Sequence, residues 1–222
     1  SSMFRSADAF NQNLSTWDVS GVTNTSSMFR SADAFNQNLS TWDVSGVTNM
    51  NSMFRSASAF NNGGSGLTWN DTGMVEDMEF MFMRATGITS VSFPNTGEVT
   101  NMRGMFFNAT SLTSISLPNT GAVTNMASMF RFATSLASIS LPNTGAVTNM
   151  EAMFAFADSL TSASLPNTGA VTTMSQMFRL ATSLTSVSLP DTSAVTTMSQ
   201  MFSSATSLTS VSLPDTSAVT TM

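Results

Sequence analysis

Apolar residues along this chain fall into clusters that recur about every two dozen positions. Each cluster carries a Met-Phe pair, at Met3-Phe4, Met28-Phe29, Met53-Phe54, Met81-Phe82, Met105-Phe106, Met129-Phe130, Met153-Phe154, Met177-Phe178 and Met201-Phe202. The spacings are 25, 25 and 28 residues, then 24 throughout. A fixed period of this size is the signature of a stacked repeat array.

One unit shows two local periods. Leu112, Ile115 and Leu117 end in strict alternation, which predicts a short strand with one buried face. Pro118-Asn119-Thr120-Gly121 is turn chemistry. Met126, Met129, Phe130 and Ala133 then follow at i, i+3, i+4 and i+7, which predicts a short helix, with Thr124 or Asn125 as its N-cap. The predicted fold class is therefore an α/β repeat solenoid, leucine-rich-repeat-like, built of 24–25-residue strand–turn–short-helix units with a parallel sheet on one face. The alternative is a β-solenoid in which the Met-Phe segment is a turn or a short 3-10 piece. One unit cannot bury its apolar face alone, so stacking must bring like side chains together, Phe106 against Phe130 against Phe154.

Two unit types share the chain. Residues 1–60 hold the Trp-Asp-Val-Ser type and residues 80–222 the Leu-Pro-Asn-Thr-Gly type, with a Gly-rich insertion and transitional unit over 61–79. Asn62-Gly63-Gly64-Ser65-Gly66 is expected to be flexible. Beyond it Trp17, Trp42, Trp69, Phe93 and Leu117 form one core column whose residue changes along a continuous solenoid. The chain starts and stops inside a unit, as a segment of a longer array would.

Charge changes the picture by its scarcity. Only 9% of residues are charged, against about 25% in an average soluble domain. Ser and Thr, at roughly a third of the chain, must cover the surface instead. The net charge is −6, and all seven basic residues are Arg. Nucleic acid and membrane insertion are not expected as partners. Without His or Cys there is no imidazole base, thiol nucleophile or zinc site, so no enzyme and no cofactor are expected.

Candidate sites are few. Phe132, Phe156 and Leu180 occupy one column two residues past the Met-Phe pair, on the flank of the predicted helix, as a half-exposed apolar patch that would mark a partner interface. Ser114, Ser116, Ser138, Ser140, Ser162, Ser164, Ser186, Ser188, Ser210 and Ser212 should face away from the core as a flat hydroxyl lattice, with Ser90 and Ser92 continuing it. Arg5–Asp8 and Arg30–Asp33 have the i, i+3 spacing of weak helical pairs. Asp71, Glu76, Asp77 and Glu79 are weak calcium candidates lacking EF-hand spacing. The Met columns read as polarizable core filler. Leu-Pro-x-Thr-Gly recurs inside the repeat as a strand-turn, not as a sorting signal.

The Ser-Met-Phe-Arg-Ser-Ala, Phe-Asn-Gln-Asn-Leu-Ser-Thr-Trp-Asp-Val-Ser and Val-Thr-Asn-Met elements resemble the BspA-type leucine-rich-repeat surface proteins. The Leu-Thr-Ser-Ile-Ser-Leu-Pro units are similar to treponemal-type leucine-rich repeats. The resemblance implies a surface adhesion or interaction protein and brings no catalytic residues. The expected function is a non-enzymatic repeat scaffold, extracellular or displayed on a cell, virion or filament surface. It would bind a protein or surface ligand, or copies of itself end to end. A self-assembling filament subunit and an ice- or crystal-surface binder using the Ser lattice are the alternatives.

Overall fold

The computed structural model describes residues 2–222. The chain is a solenoid of short parallel strands, one coil per unit. The strands are β1 (Leu67–Thr68), β2 (Ser90–Ser92), β3 (Ser114–Ser116), β4 (Ser138–Ser140), β5 (Ser162–Ser164), β6 (Ser186–Ser188) and β7 (Ser210–Ser212). They pair in parallel as β1-β2-β3, β4-β5 and β6-β7. Leu67 sits opposite Val91, and Val91 opposite Ile115, so the transitional unit keeps register with those after it. A second corner is marked by isolated bridges running Asn24, Asn49, Asp77, Asn101, Asn125, Asn149, Thr173, Thr197 and Thr221.

The short helix predicted for the Met-Phe segment does not form; that segment is a run of tight turns, as in the β-solenoid alternative. Its peptide groups alternate between two roles. In the third coil the N–H groups of Met50, Ser52, Phe54 and Ser56 donate to the carbonyls of Asp77, Glu79, Met81 and Met83 in the next coil. The N–H groups between them close turns inside the coil, Met53 to Met50, Arg55 to Ser52 and Ala57 to Phe54. Each coil from the second to the eighth repeats the scheme; Met126, Ser128, Phe130 and Phe132, for instance, donate to Asn149, Glu151, Met153 and Ala155. A helix would spend those donors within its own coil. At this length it would also be marginal by itself.

The alternation needs left-handed backbone at two places in each coil, before the Met and two residues past the Phe. Ser52 and Ser56, Phe80 and Arg84, Ser128 and Phe132, and Ala152 and Phe156 all have φ between 51° and 62°. Such a conformation disfavours a side chain by roughly 1–2 kcal/mol, which the coil-to-coil hydrogen bond offsets. Glycine occupies this place once in the Met-Phe series, at Gly104, where φ is 56° and an added Cβ would lie 2.6 Å from the Phe80 ring.

The inward set is the one the apolar spacing predicts. Met126, Met129, Phe130 and Ala133 are all fully buried. Phe106, Phe130 and Phe154 stack with centroids 5.7 and 5.6 Å apart and rings within 4° of parallel. The same spine continues from Phe4 to Phe202. In the first three units a second column, Phe10, Phe35 and Phe60, stacks beside it, with Phe29 and Phe35 4.1 Å apart. Leu112, Leu136, Leu160 and Leu184 are buried in the later units. The indole N–H groups of Trp42 and Trp69 donate to the Leu14 and Leu39 carbonyls of the preceding coil.

A buried Thr spine closes the other corner. Thr72, Thr96, Thr120, Thr144, Thr168 and Thr192 are fully buried, and each hydroxyl donates to a main-chain carbonyl of the next coil. The insertion is docked rather than loose. Asn62 is fully buried in the 3-10 turn Asn62–Gly64, its Oδ1 accepting from the Leu39 N–H and its amide donating to Ser40 Oγ and the Gly66 carbonyl.

Two substitutions test this account. Phe130→Ala removes the middle of a stack and should lower unfolding free energy by about 3–5 kcal/mol in urea titration. Gly104→Ala should cost about 1–3 kcal/mol from backbone strain and the clash with Phe80; an unchanged urea midpoint would contradict the left-handed ladder.

Candidate interaction face

The tight turns push one set of side chains out along the Met-Phe face. All seven Arg residues belong to it: Arg5, Arg30, Arg55, Arg84, Arg103, Arg131 and Arg179. The left-handed positions carry Phe80, Phe132, Phe156 and Leu180, and Phe107 stands where other units have Arg.

These groups interleave. The Arg55 and Arg103 guanidinium groups lie 5.5 and 5.3 Å from the centre of the Phe80 ring. Arg131 lies 5.7, 5.2 and 5.7 Å from the rings of Phe107, Phe132 and Phe156, and Arg179 lies 5.1 Å from Phe156. Phe132 and Phe156 stack at 4.3 Å, and Phe107 meets Phe132 edge-on at 5.6 Å. The predicted patch of Phe132, Phe156 and Leu180 is thus a row of half-buried side chains. Its flank position on a helix is replaced by the left-handed position of a turn. Phe80, Phe107 and the Arg residues between the rings were not part of the predicted patch.

Anionic partners are scarce on this face. Among the described residues one ion pair forms, Arg103 to Glu79 at 3.4 Å. The expected Arg5–Asp8 and Arg30–Asp33 pairs are absent, because their i, i+3 geometry belonged to the helix that does not form. Arg131 Nε is buried and has no hydrogen-bond partner. Partial burial, then the charges of Arg30 and Arg84, pull the Arg55 guanidinium below its ordinary value.

The other candidate sites separate. The Ser side chains from Ser114 to Ser212 are exposed and paired in register, Ser114 with Ser90 and Ser162 with Ser138. Hydrogen-bonded strand pairing is interrupted after β3 and again after β5, while β3 with β4 and β5 with β6 stay neighbours in the stack. Ser90 and Ser92 are half-buried beside the insertion. The four calcium candidates do not converge, and no group of three carboxylates among the described residues is placed to hold an ion. Asp71 accepts from the Gly73 N–H, Asp77 accepts from the Glu79 N–H, and Asp77 and Glu79 both accept from the Asn51 amide. Asn125 accepts from the Ala127 N–H two residues on, an Asx turn rather than a helix cap.

Asp18 and Asp43 are exposed at the corner just before the buried Val19 and Val44. The Ser45 hydroxyl and amide both donate to Asp43 and hold its carboxyl below the usual range; Ser20 does the same for Asp18. Lowered folded-state pKa values mean a contribution to stability that is present above the unfolded value, near pH 4, and lost as pH falls through the depressed one. Ser45→Ala should move the Asp43 titration upward toward an ordinary Asp, read by carbon-detected NMR, and leave the other carboxyls in place.

Comparison with known proteins adds a family. The chain matches the family described as "Mycoplasma protein of unknown function, DUF285" over residues 1–91, 76–186 and 148–222. The three matches take in both unit types. They agree with the BspA-type resemblance at the level of the repeat and give no separate support to treponemal-type repeats in the later units. No curated protein is significantly similar. Among solved structures, a leucine rich cell surface protein from Faecalibacterium prausnitzii A2-165 aligns at 16% identity with a TM-score of 0.42, covering 98% of this chain. The chain spans 63% of the length of that structure. No helix among the described residues is long and apolar enough to cross a membrane. With matches that together run from its first residue to its last, this chain belongs to the family described as Mycoplasma protein of unknown function, DUF285.

Proposed function

We propose that the chain is a non-enzymatic, surface-displayed repeat scaffold whose Met-Phe face is its contact surface. The observation that carries this reading is two clusters of rings and guanidinium groups on one face, Arg55, Phe80 and Arg103 in the first and Phe107, Arg131, Phe132, Phe156 and Arg179 in the second. Aromatic and Arg side chains are the types that anchor interfaces, and here they are held on a rigid backbone ladder. Fixed rotamers reduce the ordering cost of binding. The rest of the surface is dominated by small hydroxyl and amide side chains, which give a partner little to grip. A match to a cell-surface repeat protein in the coarse sense of repeat architecture, and the BspA-type resemblance, favour display outside the cell.

Immobilised protein would be screened against a random-peptide library and a glycan array, with Phe156→Asp as the counter-screen. A charge at residue 156 interrupts the row without entering the buried spine. Ligands retained by the native chain should be weakened about tenfold or more by the substitution. If every retained ligand binds both proteins equally, the Met-Phe face is not the contact surface.

A further inference from the structure

The cations keep a register that the core does not require. Coils one to six carry one Arg each on the Met-Phe segment, and coil eight carries another. The position inside the coil shifts: Arg5, Arg30, Arg55, Arg131 and Arg179 directly follow the Met-Phe pair, Arg84 lies one residue later, and Arg103 precedes the pair. Where Met83 takes the usual place, the charge reappears on the neighbouring Arg84. Five of the seven keep the place after the Met-Phe pair, Arg84 and Arg103 shift within their coils, and coils seven and nine carry none. Seven cations thus line one face of a chain whose net charge is −6.

The row is unneutralised over most of its length. Glu79 engages Arg103. Asp8, Asp33, Glu151 and Asp158 lie on the same segments and form no ion pair. Arg30 and Arg84 are close enough to Arg55 to disfavour its charge. Like charges held in a row on a rigid scaffold, with rings between them, are arranged for a ligand that brings matching anions.

We infer that the Met-Phe face binds a linear anionic glycan, a chain of carboxylated or sulfated pyranose units laid along the solenoid axis. The inference rests on the reading of this face as the contact surface. Spacing selects the ligand class. Adjacent coils are about 4.8 Å apart, and a pyranose unit advances its chain by about the same step. Phosphates of duplex DNA repeat at about 3.4 Å along each strand and do not keep step with the coils. Phe80, Phe107, Phe132 and Phe156 fill the space between the cations as half-buried apolar spacers, packed on one another and under the guanidinium groups, and hold the charges in place along the face.

The test titrates the full chain with size-fractionated heparin and polyuronate oligosaccharides by calorimetry at low salt, with dextran, polyglutamate and duplex DNA alongside. Affinity should rise with glycan length to about six units and then level, following the six consecutive charged coils. It should also fall steeply with salt. Arg30→Gln/Arg55→Gln/Arg84→Gln should weaken binding about tenfold or more and flatten the salt dependence, while Asp43→Asn changes neither. Circular dichroism confirms that the variants fold. Absence of glycan binding, binding indifferent to the Arg variant, equal binding of polyglutamate or DNA, or low-salt self-association that glycan does not displace would each overturn the inference. If the glycans fail while Phe156→Asp still removes peptide ligands, the contact face survives and the glycan is wrong. If both fail, the face itself is wrong.

Discussion

Each Met-Phe segment is tied to its neighbours by peptide groups that lie along the stacking axis. The peptide joining Asn51 to Ser52 accepts from Ser27 in the coil before and donates to Glu79 in the coil after. The peptides ending at Met50, Phe54 and Ser56 behave alike, so four chains of hydrogen bonds run through the array. The other main-chain donors of the segment are used in turns inside the coil. Buried backbone groups left without partners would be costly, and this alternation pairs the donors without a helix. Two left-handed residues in each coil follow from the arrangement.

Once the coils are locked at one spacing, every side chain meets its own equivalent. Flat rings can then stack in parallel, as the Phe spine does, with interplanar angles of 0° to 10°. The columns tolerate exchange of side chain while the main-chain register is kept. Val19 and Val44 hold the corner that a buried Thr holds from Thr72 onward. The Trp17, Trp42, Trp69, Phe93 and Leu117 column shrinks along the chain without breaking register, as the Leu67–Val91 and Val91–Ile115 pairings show. The Thr at position 100 and its equivalents use both the N–H and the hydroxyl to reach the preceding coil, Thr124 to Thr100 and Thr148 to Thr124.

What the sequence reveals and what it hides divide along this line. The period, the strand register and the buried set are all legible, because they depend on which positions are apolar. Met126, Met129, Phe130 and Ala133 also fit a helix, since a run of tight turns turns the chain inward at almost the same positions. The feature that separates the two is the sign of φ at residues such as Ser128 and Phe132. Ser, Phe, Ala and Gln give no warning of it, and in the Met-Phe segments only Gly104 and Asn108, both in the fifth coil, are residue types that favour it. Misreading the backbone then misplaces the surface. Arg30 and Asp33 look like a helical pair and are not one. Phe132, Phe156 and Leu180 are recognisable as a column, but Phe80 precedes its Met-Phe pair and Phe107 directly follows its own, and the turns bring these different positions to one face.

The same misplacement hides the charge pattern. Seven Arg in a chain of net charge −6 read as a scattered minority when counted by position, and a scattered minority excludes polyanions. Folded into coils, they become one row, because the coil and not the residue is the unit of length along the axis. A charge that shifts by one or more positions within a coil stays on its rung. That is why Met83 with Arg84 can stand in for Arg55 with Ser56 without leaving a gap. Selection on a buried column would fix the position and allow the rung to vary in residue type, as the Trp-to-Leu column does. The Arg row keeps a charge on each of the first six rungs even where Arg84 and Arg103 leave the usual position, and that continuity is set on the outer face and not by the buried columns.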